Sequence, residues 1–329
     1  MLAEHPAVLS AAEVFTMAQP GAFPAGEIDG ERFWRVLAEP RADMSLLLRH
    51  RVEPDEVRYP VDGGGRFDRE SGVPPIALIC LPTLTDEPDA LYDELERPLR
   101  RLPPARVGTH YRSLLELLAR ILGKQVWVER SGGSLSYAGD VLEQFDSPRV
   151  LHVHRAGPDT ALSMSRHSSY RITIVRALLK ADLGRDPFEA AEPPPGRAPA
   201  PELAGLTPDR FDARAFREAP IPVEHFGRFW SAAILRGTRQ LAALPASDVR
   251  HLPYEQLVAD PEDELARVAE LFELPDPRGP WLKRAATAAG EPAATARDQL
   301  SGAELERLRL ACAPGERRLR RLAQAGDRS

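Results

Sequence analysis

The most distinctive stretch of the sequence runs from Val150 to Ser163 and reads VLHVHRAGPDTALS. It places Arg155 at the end of a predicted strand and Ser163 about two turns into the helix that follows. In open parallel sheets, ligands bind at the carboxyl ends of strands. A guanidinium, a helix N-terminus and a hydroxyl placed there suit a phosphate group. A plainer alternative pairs Arg155 with Asp159 and leaves Ser163 in solvent.

Predicted strands and helices alternate around this stretch. The hydrophobic spacing and turn residues predict helices over 109–122, 136–145, 159–167, 223–244 and 261–274, and strands over 125–129, 149–154 and 248–252. Strands that alternate with helices are typical of a parallel sheet with crossover connections. We therefore expect the strand before Arg155 to belong to a parallel sheet.

Length, composition and charge narrow the class of protein. The chain has 329 residues, of which 43% are hydrophobic and 28% charged, so a sizeable core is expected. A net charge of −6 argues against a general nucleic-acid binder, and no apolar run or signal peptide predicts a membrane span or secretion. Cys80 and Cys312 lack metal-site spacing and are expected to be reduced and buried. Asparagine is absent and arginine far outnumbers lysine, which is typical of a GC-rich bacterial genome. These features predict a cytoplasmic protein without a metal.

The segment RAGPDTALSMSRH, which begins at Arg155, resembles the 3′-phosphate-binding segment of sulfotransferases. Members of that family use 3′-phosphoadenosine 5′-phosphosulfate (PAPS), and their pattern is a strand followed by Arg-Asp-x-Arg-Asp-x-x-x-Ser. Arg155 and Ser163 match the two phosphate ligands, whereas Ala156 and Pro158 replace charged residues of the pattern. The resemblance implies that Arg155 and Ser163 hold the 3′-phosphate, and Arg166 is expected to add a contact from the next turn.

Two further segments resemble the same family in the same order. KQVWVERSGGS, which ends at Ser134, is similar to a strand and loop read as Trp-x-Glu-Lys-[ST], and Arg130 stands at the lysine that stabilises charge on the bridging oxygen. Arginine keeps the charge but donates protons poorly, so its expected role is electrostatic. An ion pair between Glu129 and Arg130 is the open alternative. HLPYEQLVADP resembles a late architectural segment in which Glu255 is expected to satisfy backbone donors.

The first residues, LAEHPAVLSAAEVF, resemble the stretch that follows the family's 5′-phosphosulfate loop. The loop itself, Gly-x-x-Arg-Ser-Gly-[ST]-Thr, and the strand before it are not found, which would expose two sheet edges. A start site assigned too late, a truncation and a degenerate relative are the three explanations left open. In this resemblance Glu13 stands near the position of the catalytic glutamate of tyrosylprotein sulfotransferases, and it is the expected general base. His110 and His167 are the alternative bases.

Taken together, the resemblance implies an α/β fold of the P-loop-like type. We expect a parallel sheet flanked by helices, with helical insertions and without the first strand and phosphate loop. Residues 1–329 would form a single sulfotransferase-like domain in which the proline-rich segment 185–207 is an exposed flap or linker. Residues 30–104 and the flap around Pro193 are the expected source of acceptor specificity.

The implied reaction transfers a sulfuryl group from PAPS to a hydroxyl or amine of a small-molecule, lipid or carbohydrate acceptor, without a metal. The alternative is a non-catalytic nucleotide-binding relative that has lost the donor loop. A nucleotide-dependent kinase is disfavoured because the sequence has no Gly-x-x-x-x-Gly-Lys-[ST] motif.

Overall fold

The fold is mixed α/β and mostly helical. The computed structural model describes residues 1–189, 196–288 and 295–326. The strands are β1 Val8–Ala12, β2 Glu27–Ile28, β3 Ala105–Arg106, β4 Val126–Arg130, β5 Val150–His154 and β6 Val249–Pro253. The helices of the first half are α1 Val14–Met17, α2 Gly30–Ala38, α3 Ala42–Arg49, α4 Pro75–Leu78, α5 Cys80–Leu84, α6 Pro88–Arg100, α7 Val107–Ile121, α8 Ala138–Gln144 and α9 Gly157–Arg166.

The second half of the chain is almost entirely helical. Its helices are α10 Ser168–Leu183, α11 Ala213–Glu218, α12 Val223–Leu241, α13 Tyr254–Ala259, α14 Pro261–Leu271, α15 Trp281–Ala286, α16 Ala296–Gln299 and α17 Gly302–Gly326. Short 3-10 helices lie at Leu2–Glu4, Ser134–Tyr137, Pro201–Leu206 and Ala246–Asp248. No helix in the described ranges is long and apolar enough to cross a bilayer.

Among the described residues the strands form three separate pairs rather than one parallel sheet, and this corrects the expectation from the sequence. β1 pairs in parallel with β4, β5 pairs in parallel with β6, and the short β2 and β3 pair antiparallel. β4 and β5, which were both expected in one parallel sheet, therefore each pair with a different partner. β1 was not predicted, because it is buried along its whole length and shows no alternation of polar and apolar residues.

One helical layer supports both parallel pairs. Val8 of β1, Val128 of β4, Leu151 of β5 and Leu252 of β6 belong to a single apolar cluster with α14 and α15. A second cluster covers another part of the β1–β4 pair with side chains of α7, among them the fully buried Tyr111. Helices on both sides thus leave the carboxyl ends of β1 and β4 as the place where polar side chains collect.

The segment 185–207 is not an exposed flap throughout, which corrects a second expectation. Leu203 and Leu206 are buried in one cluster with Phe216 of α11. They lie three residues apart in a 3-10 helix, so both face the same side and dock together. Residues 190–195, including Pro193, lie outside the described residues.

Candidate functional site

Glu13 and Arg130, the two predicted catalytic residues, lie at the carboxyl ends of paired strands. The parallel register sets Ala12 of β1 opposite Arg130 of β4. The backbone N–H of Glu13 donates to the carbonyl oxygen of Arg130 at 2.8 Å. Two residues that are far apart in the sequence are brought together by this register.

The backbone of Glu13 adopts the left-handed conformation, with φ 57° and ψ 25°. A residue other than glycine is strained there, and such strain persists only where the surroundings enforce it. The carboxylate accepts hydrogen bonds from the N–H of Gly132, at 2.7 Å, and from the hydroxyl of Thr16. The turn between β1 and α1 therefore fixes the orientation of this carboxyl group.

Burial raises the pKa of Glu13 above its ordinary value. The hydrogen bonds from Gly132 and Thr16 and the charge of Arg130 oppose that rise, whereas the charge of Glu56 adds to it. Desolvation is the largest of these effects, so the carboxylate is a stronger base than an exposed glutamate. This is the property that a general base needs near neutral pH.

Arg130 is exposed, and its Nε donates to the hydroxyl oxygen of Ser10 at 2.9 Å. Within the described ranges no ion pair joins it to Glu129, so the alternative drawn from the sequence is wrong. Adjacent residues of a strand point to opposite faces, and this separates the two side chains. The guanidinium stays on the side of the Glu13 carboxylate, where its charge lowers the pKa of that group.

Glu129 is an acid–base group that the sequence analysis did not assign. It accepts hydrogen bonds from the N–H of Phe15, at 3.2 Å, and from the hydroxyl of Ser131, at 2.5 Å. Burial raises the pKa of Glu129 to about 7, and the charge of Glu13 adds to the rise. The signal in the sequence that could have identified Glu129 is a carboxylate within the otherwise apolar strand sequence VWVER.

The start of α10 forms a further wall of this region. The hydroxyl of Tyr170 donates to the carbonyl oxygen of Gly132 at 3.4 Å, and burial with the charges of Glu13 and Glu56 raises the pKa of Tyr170 to about 12. His167 lies at the junction of α9 and α10, and its Nε2 is 2.9 Å from both carboxylate oxygens of Glu56. Of the two alternative bases, His167 is thus near the Glu13 site but paired with a carboxylate.

His110 has a packing role instead. The imidazole is buried, its Nε2 is 2.7 Å from the carbonyl oxygen of Ile28, and its ring stacks on Phe33. These contacts tie α7 to β2 and α2. His110 is therefore not free to serve as the base.

The predicted phosphate ligands lie along α9. Arg155 follows β5 and is 3.8 Å from Asp159, while Ser163 and Arg166 are exposed. This is the plainer arrangement considered from the sequence. Arg155 precedes α9, and Ser163 lies six helical rises, about 9 Å, beyond the first residue of that helix, so the long arginine side chain would have to reach toward Ser163 for both groups to bind one phosphate.

Two carboxylates accept hydrogen bonds from backbone N–H groups at the start of α9. Glu255 accepts from the N–H of Ala156 at 3.3 Å, which confirms the role expected for it from the sequence. Glu316 of α17 accepts from the N–H of Gly157 at 2.6 Å. The positive end of this helix is therefore already neutralised, and a phosphate would depend mainly on the side chains of Arg155 and Ser163.

Comparisons with known proteins show a weak likeness to a solved structure. No protein-family model matches the chain, and no curated protein matches it. Among solved structures, the chain is similar to the sulfotransferase domain from the curacin biosynthetic pathway, with 15% identity and a TM-score of 0.34 over 61% of this chain. The match spans 54% of that domain, so about half of its length has a counterpart here.

Proposed function

We propose that this protein transfers a sulfuryl group from PAPS to a hydroxyl or amine of a small-molecule, lipid or carbohydrate acceptor. The observation that carries the proposal is the adjacency of a base-like carboxylate, Glu13, and a cation, Arg130, at the carboxyl ends of β1 and β4. Sulfuryl transfer needs one group to take a proton from the acceptor and another to neutralise the leaving oxygen.

The reaction can be written with these two side chains. The acceptor oxygen or nitrogen attacks sulfur in line, the bond from sulfur to the bridging phosphate oxygen breaks, and adenosine 3′,5′-bisphosphate leaves with the electron pair. Glu13 takes the proton of the acceptor, which contributes on the order of 10²–10⁴ in rate. Arg130 lowers the energy of the charge that grows on the bridging oxygen, without giving up a proton.

Arg155 and Ser163 are the proposed ligands of the 3′-phosphate. The contact between Arg155 and Asp159, at 3.8 Å, is longer than a charge-assisted hydrogen bond. A doubly charged phosphate attracts the guanidinium more strongly than one carboxylate at that distance does. Nucleotide binding would then turn Arg155 from Asp159 toward Ser163.

Calorimetric titration of the 329-residue chain with adenosine 3′,5′-bisphosphate tests this site. We expect Arg155→Ala to weaken binding by roughly 10- to 100-fold, because one charge-assisted contact is lost. Arg149→Ala is the matched control: Arg149 flanks the opposite end of β5 and pairs with Glu273 on the surface. Equal losses in both variants would contradict the proposed phosphate site.

A second candidate function is nucleotide binding without catalysis. The observation that favours it is the hydrogen bond from Arg130 to Ser10, which already engages Nε of the guanidinium. Transfer of label from PAPS to an acceptor separates the two functions. Binding without transfer supports the non-catalytic protein, transfer that Glu13→Gln abolishes supports the enzyme, and absence of binding contradicts both.

A further inference from the structure

A continuous chain of hydroxyl groups joins Glu13 to Glu129. The hydroxyl chain consists of the side chains of Thr16, Tyr137 and Ser131, in that order. Thr16 hydrogen-bonds to the Glu13 carboxylate, and its Oγ1 is 2.6 Å from the Tyr137 hydroxyl. Tyr137 in turn hydrogen-bonds to Ser131, and Ser131 lies 2.5 Å from Oε1 of Glu129. Four hydrogen bonds thus connect the two carboxyl groups.

With both carboxyl groups ionised, the hydroxyl chain has one proton fewer than it has hydrogen bonds. A hydroxyl supplies one proton and a carboxylate supplies none, so three hydroxyls between two carboxylates leave one of the four hydrogen bonds without a proton. One additional proton on either carboxyl group completes all four bonds. With the proton on Glu129 every hydroxyl donates toward Glu13, and with the proton on Glu13 every hydroxyl donates toward Glu129.

We propose that the carboxyl groups of Glu13 and Glu129 hold one proton between them and exchange it through the hydroxyl chain. When Glu13 releases the proton, each hydroxyl passes its own proton to the next oxygen and receives one from the previous oxygen. One proton therefore moves from Glu13 to Glu129, and the hydroxyl groups are unchanged.

The charges around the chain favour a single shared proton. Burial raises the pKa of both carboxyl groups, the charge of Glu13 further raises the pKa of Glu129, and the charges of both raise the pKa of Tyr137 between them. The other titratable or charged groups that sense these carboxylates are Arg130 of β4, Glu56 before α4, Cys80 of α5, Tyr111 of α7 and Tyr170 of α10. Arg130 is the one cation among them, which balances one carboxylate rather than two.

A role of this proton exchange in catalysis rests on the proposed function. Glu13 would pass the proton taken from the acceptor to Glu129 and become a carboxylate again. Glu129 is therefore a positioning residue that acts through Glu13 and does not touch the acceptor. The proton-sharing itself is independent of any donor or acceptor.

Infrared titration of the full chain tests proton-sharing without turnover. We expect the absorption of a protonated carboxyl group to disappear as the pH rises through about 7, and Glu129→Gln to lack this band. Tyr137→Phe breaks the chain and frees Ser131 to donate to ionised Glu129, so the midpoint falls by about one pH unit. Thr16→Val removes the hydroxyl between Glu13 and Tyr137, and with it two of the four hydrogen bonds, and gives a second variant should Tyr137→Phe fail to fold.

Tyr111→Phe is the matched control. Tyr111 is buried beside Glu129 and donates to the carbonyl oxygen of Ala22, outside the hydroxyl chain. Its substitution leaves the midpoint where it is. An unchanged midpoint in the chain-breaking variants, or no band that depends on Glu129, overturns the proposal. A titrating band in a protein that transfers no label from PAPS overturns the proposed function and leaves proton-sharing intact.

Discussion

At the scale of single residues, the candidate site is defined by two carboxyl groups in different surroundings. Glu13 receives a backbone N–H and faces Arg130, whereas Glu129 is turned into the interior between strand and helix. Environments that separate the acid–base behaviour of two carboxyl groups are typical of sites that move protons. The residue types were visible in the sequence, and their surroundings were not.

Substitution of Arg130 tests its electrostatic role. We expect Arg130→Ala to lower kcat for sulfuryl transfer on the order of 10²-fold, because the growing charge loses its counter-ion. Arg130→Lys retains the charge and should stay within about tenfold of the native rate. Affinity for adenosine 3′,5′-bisphosphate should not change in either variant. A native kcat in Arg130→Ala would exclude this residue from the reaction.

Glu129 predicts a pH dependence of stability. Its folded-state pKa of about 7 lies above the value of 4.5 for an exposed glutamate, so the folded chain binds more protons between these values. The free energy of unfolding should therefore fall as the pH rises from 4.5 to 7, by at most about 3 kcal/mol from this group. Urea unfolding of native protein and Glu129→Gln at pH 5 and 8 measures it. Identical pH dependence in both proteins would contradict the assignment.

At the scale of elements, the parallel pair β5–β6 contains a histidine cluster, formed by His152, His154 and His251. Nδ1 of His152 lies 2.9 Å from Nδ1 of His251, so one nitrogen donates and the other accepts. Burial lowers the pKa of His152 to about 3 and that of His251 to about 4. The hydrogen bond between the side chains of β5 and β6 therefore joins two neutral imidazoles.

Acid should weaken this strand pair. Unfolded histidines bind protons below a pKa of 6.5, whereas His152 and His251 resist protonation in the folded chain. The unfolded state therefore binds more protons between about pH 6.5 and 4, and stability falls as the pH falls through that window. The double variant His152→Gln/His251→Gln should lose less stability between pH 7 and 4.5 than the native protein, as measured by urea unfolding. An equal loss would show that other groups govern the acid response.

The helices illustrate what a sequence pattern predicts well. The expected helices over 159–167 and 223–244 are found as Gly157–Arg166 and Val223–Leu241, because apolar residues at helical spacing specify the buried face locally. Pairing of strands has no such local signal. β4 and β5 were assigned correctly as strands, but their partners, β1 and β6, depend on chain segments about 100 residues away.

At the scale of the whole molecule, the C-terminal helix α17 joins the distant parts of the fold. It packs along α12 and α9 in one apolar cluster that includes Trp230 and Cys312. Glu316 of the same helix accepts the hydrogen bond from Gly157 that was described above. The segment that carries the predicted phosphate ligands is therefore supported by the last helix of the chain.

A methyl group at Gly157 tests this packing. A Cβ there would lie 2.6 Å from the Trp230 ring and 3.0 Å from Cβ of Cys312, so Gly157→Ala should lower the free energy of unfolding by roughly 1–3 kcal/mol. Gly302→Ala, where a Cβ meets open space, is the control and should change stability by less than about 0.5 kcal/mol. Urea midpoints of the two variants measure the difference. Equal midpoints would mean that α9 is not packed against α12 and α17 as described.

The sequence by itself determined the types and approximate limits of five helices and three strands, because periodicity and residue chemistry are local properties. Glu13 and Arg130 were singled out by the resemblance to sulfotransferases. Only the tertiary structure decided which strands pair, that Glu129 is partly buried, and that hydroxyl groups connect it to Glu13. The physical reason is that burial and hydrogen bonding are set by partners from remote parts of the chain: Thr16 and Tyr137, whose hydroxyls touch, are 121 residues apart.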